Sequence, residues 1–121
     1  MEAKRGLIRP EDIAVLERNW TEQQPRKGTR DEIDHIVAVR LYMPFSTCLW
    51  LITEKEPDSD LLFGGCQIFE YELGYATITE LAEVRHPQGL KVLQDTTFRP
   101  DKPLSWYTAL ARRSGGLISI G

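Results

Sequence analysis

The stretch TCLWLITE, residues 47–54, decides how the chain is read. Leu49, Trp50, Leu51 and Ile52 are consecutive and flanked by threonines, so β-favouring residues fill a run of strand length. A run with no polar alternation reads as a central strand covered on both faces. Upstream, residues 33–45 alternate instead. Ile33, Val37, Val39, Leu41 and Met43 share one side, with His35 interrupting, while Asp34, Arg40 and Tyr42 point the other way. That is a strand with one wet face. Pro44, Phe45 and Ser46 make the turn between the two. Downstream, KEPDSD at residues 55–60 is a polar turn, and residues 61–69 form a third strand. Gly64 and Gly65 inside it indicate a bulge or close packing by another element. Strands joined by such short connections form an antiparallel meander.

Outside this block the pattern turns helical. Pro10 suits a first helical position, Glu11 and Asp12 suit the positive end of the helix dipole, and Ile13, Leu16 and Trp20 recur at helical spacing over residues 10–22. QQPRKGTR, residues 23–30, has no apolar residue and reads as a loop. Residues 75–78 continue the sheet briefly, and Thr77 with Glu80 has the spacing of a capping box for a short helix to about Arg85. That helix would bury Ile78, Leu81 and either Ala82 or Val84 before Pro87 and Gly89 stop it. Val92, Gln94, Thr96 and Phe98 alternate along a fourth strand, residues 91–98. A last helix spans residues 103–113, with Leu104, Tyr107 and Ala111 inward, Leu110 as a further candidate for that face, and Gly115 and Gly116 ending it. The apolar residues 117–121 are expected either to fray or to pair with a sheet edge. The reading is therefore a single α+β domain over residues 1–121, a mainly antiparallel sheet of about four strands with about three helices on one face.

Composition narrows the function classes. A chain of 121 residues with 41% hydrophobic and 27% charged residues can bury one ordinary core without staples. No apolar run approaches the roughly 20 residues of a membrane span, and no signal-peptide segment is visible near the N-terminus, so a cytoplasmic location is expected. Cys48 and Cys66 sit in apolar runs and read as reduced, buried thiols. With His35 and His86 the only histidines, no zinc-ligand spacing exists, and neither a metal nor a cofactor is expected. The net charge of −3 hides an acidic middle, seven acids against one base between residues 54 and 80, and mildly basic ends.

Four pieces occur in order: Trp50, Leu51, Ile52, Thr53, Glu54; then Phe63, Gly64; then Glu72, Leu73, Gly74, Tyr75 with Glu80, Leu81 behind; and Gln94, Asp95, Phe98 with Pro103, Leu104, Ser105. Over residues 7–106 this series resembles the domain-of-unknown-function family 2958, small single-domain bacterial proteins often carried on plasmids and other mobile elements. Tyr71 and Ala76 depart from residues such proteins often carry around Glu-Leu-Gly-Tyr. The resemblance implies an identity without a reaction.

Among candidate chemistries, Glu54, Glu56, Asp58 and Asp60 could offer oxygens to a hard cation, but the glycine and terminal glutamate of a calcium loop are absent, and a solvated turn is the plainer reading. A second group is Glu54 and Glu72 beside Tyr75, Trp50 and Thr53. If these meet, they form a polar pocket with an aromatic wall in which burial would tune a carboxyl for acid–base work or binding. The plainer reading has Glu72 serving a turn that Gly74 permits. Lys4, Arg5, Arg9, Arg26, Lys27 and Arg30 could gather into a weak nucleic-acid footprint, which the acidic middle opposes. The reading that demands least is a non-enzymatic accessory protein, a monomer or small homo-oligomer, that binds a host or element-encoded protein through the acidic face and an exposed Tyr71.

Overall fold

The computed structural model describes residues 6–115. Helix α1 (Pro10–Gln23) leads through a short 3-10 turn into a meander of β1 (Val39–Tyr42), β2 (Leu49–Lys55), β3 (Leu61–Gln67) and β4 (Tyr71–Thr77). Helix α2 (Ile78–Glu83), a short β5 (Leu93–Gln94) and helix α3 (Leu104–Ser114) follow, completing the elements among the described residues. The strands lie in the order β4-β3-β2-β1-β5, and every pairing is antiparallel. The domain is thus α+β with five strands. The expected fourth strand over residues 91–98 shrinks to the two-residue β5 at the far edge, and the expected brief continuation over residues 75–78 is a full strand, β4, that begins at Tyr71.

Strand β2 is buried along its whole length, as a run without polar alternation requires. Its side chains divide two cores. Trp50 and Ile52 join Leu16 of α1, Leu62 and Leu81 of α2, while Leu49 and Leu51 join Val37, Leu104 and Tyr107 of α3. Helices therefore cover both faces of the sheet, α1 and α2 on one and α3 on the other, which corrects the expectation of cover on one face. The cause is that two apolar faces on β2 need two covers.

The local signals act where the sequence places them. Thr77 Oγ1 accepts from the Glu80 N–H while Glu80 Oε1 accepts from the Thr77 N–H, closing the capping box of α2. Gly115 ends α3 in the left-handed region at φ +77°. Gly64 is required by close approach, since a Cβ there would lie 1.9 Å from the Leu51 carbonyl oxygen. A Cβ on Gly65 would meet the Tyr71 ring, which lies across it. Cys48 and Cys66 are free thiols, half-buried at the margin of the α1-side core, and burial, then the nearby Glu72, pushes the Cys66 thiol up. The apolar tail over residues 117–121 and the basic Lys4 and Arg5 lie outside the described residues.

Candidate functional site

The site originates in one irregularity of β2. Ile52 pairs with Gly64, but the next residue opposite Phe63 is Glu54, so Thr53 is an extra residue in a β-bulge. Strict alternation would give Glu54 the face of Trp50 and Ile52. The bulge shifts the phase and sends it to the α3 side, in one cross-strand row with Phe63 and Tyr75. The segment leading into β1 breaks phase at the same level: Val37, before the strand, enters the α3-side core, whereas Val39, its first residue, enters the α1-side core. Asn19 of α1 donates its side-chain amide to the Thr53 carbonyl at 3.0 Å, satisfying a backbone acceptor in the bulge.

A cleft of about 520 Å³ opens over this row, a volume suited to a small ligand. Three elements enclose it. The sheet supplies Thr53, Glu54, Phe63, Leu73 and Tyr75, helix α3 supplies Leu104, Ser105, Thr108, Ala109 and Arg112, and the segment after α1 supplies Lys27 and residues 32–35. That segment is pinned to its neighbours. Gln23 Nε2 donates to the Ile33 carbonyl at 2.7 Å and Gln23 Oε1 accepts from the Ile33 N–H at 2.8 Å. The Leu104 N–H donates to the His35 carbonyl at 3.0 Å, and Asp34 accepts from the Ser105 N–H and hydroxyl. Helix α3 is held over the sheet from β4, where Tyr71 OH and Thr108 Oγ1 share a 2.8 Å hydrogen bond.

The floor is polar and buried. Glu54 is 5% exposed, His35 9%, and Thr53, Gln23 and Thr108 are also buried. Glu54 takes part in no ion pair among the described residues. Burial pushes its carboxyl above the usual range, and nearby His35, the Gln23 amide and Lys27 offset part of that effect. The His35 Nε2 is buried without a hydrogen-bond partner among the described residues. At the rim, Lys27 Nζ donates to Tyr75 OH at 2.9 Å and stands 5.4 Å from the Trp20 ring centroid and 5.5 Å from that of Tyr75. The bond to Tyr75 holds the Lys27 ammonium pKa above its ordinary value.

Of the five residues singled out in the sequence, the structure brings Thr53, Glu54 and Tyr75 to this cleft. Trp50 and Glu72 pair through Cys66 on the opposite face, where both line a smaller cavity of about 160 Å³. The residues the sequence reading did not place in this site are His35, Thr108, Arg112 and Lys27, the last of which it set among the bases of a nucleic-acid footprint. His35 did carry a signal, a polar break in an apolar face, whereas the others come together only through the tertiary fold.

Several of the other candidate groups have local partners. Asp60 accepts from the Thr79 N–H and hydroxyl, which hold its carboxyl below the ordinary range. Among the described residues no three His, Cys, Asp or Glu side chains converge to hold a metal ion, and no helix is long and apolar enough to cross a membrane. Arg26 donates to the Glu22 carbonyl and Lys27 to Tyr75, so these two bases of the loop are turned to local partners. Tyr71 is half-buried under α3, contrary to its expected exposure, because its ring covers Gly65 and its hydroxyl seeks Thr108.

No curated protein and no solved structure matches the chain. Residues 7–118 match the family described as "Protein of unknown function (DUF2958)", which covers nearly the whole sequence, and the chain belongs to that family.

Proposed function

We propose that the protein binds a small polar molecule in the cleft beneath α3, with Glu54 as the group that selects it. One observation carries this reading: a carboxyl 5% exposed, with no cation paired to it among the described residues, set at the floor of a cleft of ligand size. A carboxylate buried without a partner destabilises a fold, and such groups cluster where a ligand supplies the missing contacts. His35 beside it adds a second buried polar group with bonding capacity left over. A fragment screen by protein-observed NMR tests the reading. Fragments that shift the Thr53, Thr108 and Ala109 amides of the wild type should lose that effect in Glu54→Gln. Fragments that leave these amides unmoved, or bind the variant equally well, would contradict it.

A second reading has its own support. Phe45 is 90% exposed and Phe69 97% exposed. They occupy the β1–β2 and β3–β4 turns, which the antiparallel register puts at the same end of the sheet. Gln67 Nε2 joins these turns by donating to the Thr47 carbonyl at 2.9 Å. Two bare phenyl rings at one end suit contact with another protein, as an accessory protein of a mobile element would make. A photo-crosslinker at position 69 should then yield one discrete adduct in cells, lost in Phe45→Ser. An unselective smear of adducts would refute this use of the turns.

A further inference from the structure

The charges lining the cleft are sorted by depth. Its one deep carboxyl is Glu54. The two other acids at the cleft are already engaged: Glu32 Oε2 accepts from the Gly28 N–H, and Asp34 accepts from Ser105 at the start of α3. Lys27 and Arg112, by contrast, are exposed, come from different walls, and form no ion pair with any described carboxylate. Lys27 is held away from Glu54, since its ammonium bonds the Tyr75 hydroxyl instead of a carboxylate oxygen. Between floor and rim the walls are apolar and aromatic, with Phe63, Leu73 and Leu104.

Building on the small-molecule reading above, we infer that the ligand is a small zwitterion, with a cationic amine seated on Glu54 and an acid group held at the mouth by Lys27 and Arg112. Each part follows from the complementarity of charge and depth. An amine brings the buried carboxyl the ion-pair partner that no described residue supplies, and N–H donors beyond the Gln23 amide. An acid group at the mouth meets two cations that no described carboxylate neutralises, Lys27 keeping donors beyond its bond to Tyr75, and a guanidinium can hold a carboxylate or a phosphonate through paired N–H donors. A flat apolar body between them matches the walls. A neutral ligand would leave all three charges without an opposite charge, and a plain anion would leave Glu54 buried without a cation.

The probes are 4-(aminomethyl)benzoate, its phosphonate counterpart, 4-methylbenzoate and 4-methylbenzylamine, titrated by calorimetry at low salt. The zwitterions should bind at least about tenfold more tightly than either singly charged probe. The stronger of the two zwitterions identifies the acid group. Lys27→Gln or Arg112→Gln should weaken the zwitterions about threefold to fivefold and leave the benzylamine unchanged. Both positions are exposed, so these variants keep the fold. Benzoate binding as tightly as the zwitterion, or an acid group that adds nothing to the amine, would overturn the inference while leaving a Glu54-dependent cleft intact. If no probe binds, the zwitterion is wrong, and the cleft reading falls with it only if the broader fragment screen also leaves the cleft amides unmoved.

Discussion

Glu54 and Tyr75 stand in one cross-strand row, each opposite Phe63, although they belong to strands that do not touch each other. The Phe63 and Tyr75 rings lie 5.1 Å apart, centroid to centroid, with their planes tilted by 54°, so the row presents a carboxyl beside two packed aromatic rings. The bulge at Thr53 creates this relationship, and Gly64 opposite Ile52 allows the strands to close up immediately beside it.

Gly64→Ala should therefore be costly out of proportion to one methyl group. The added Cβ would collide with backbone, which has no rotamer by which to yield. The expected loss is about 2–3 kcal/mol, or a melting temperature lower by roughly 10 °C. A variant that melts within a degree of wild type would show that the two strands are not held this closely.

The hydroxyl of Tyr71 should matter through α3. Tyr71→Phe keeps the ring over Gly65 but leaves the buried Thr108 hydroxyl without its partner. A loss of about 1 kcal/mol in denaturant unfolding is expected, together with faster amide exchange in α3 than in α1. Uniform exchange in both helices would mean that this bond does not anchor α3.

Asp95 gives a pH-dependent contribution of known sign. Burial pushes its carboxyl up, but the Thr97 hydroxyl and N–H, together with Arg40 at 3.1 Å, outweigh that and hold it below its ordinary value. A lowered carboxyl stabilises the fold above the unfolded pKa of 3.8, and that stability is lost as pH falls through the folded value. Asp95→Asn should cost roughly 1–2 kcal/mol at neutral pH, and the gap to wild type should narrow steadily below about pH 4. A gap constant with pH would contradict the ion pair.

Glu54 has the opposite sign. Burial raises its carboxyl above the unfolded value of 4.5, so ionisation favours the unfolded chain. Stability is lost as pH rises from that value through the folded one, and the loss persists above it. Glu54→Gln should thus be more stable than wild type at neutral pH, by about 1 kcal/mol, with the advantage vanishing near pH 4. A destabilised variant at neutral pH would show that Glu54 serves the fold.

The sequence makes the meander legible because β2 lacks alternation, β1 keeps it, and polar turns separate them. The capping box of α2 and the Gly115 stop of α3 are also legible, since each uses chemistry confined to a few neighbouring residues. The site is legible only in part, because alternation predicts faces only while the register holds. One extra residue at Thr53 moves Glu54 away from Trp50, with which strict period-two counting would group it. Glu72 goes to the opposite side for the complementary reason: β4 keeps its alternation, so Glu72 and Tyr75 point apart. The residues that line the cleft around Glu54 come from the segment after α1 and from α3, a juxtaposition that depends on backbone bonds such as Leu104 to His35.

The claim on which the rest depends is that the unpaired carboxyl at the cleft floor exists for a ligand. Its most direct measurement is a pair of binding isotherms, wild type and Glu54→Gln, for the tightest amine-bearing fragment at neutral pH. The account predicts a Kd at least about tenfold weaker in the variant, with a melting temperature equal to or above that of wild type. Equal affinities in the two proteins would contradict it.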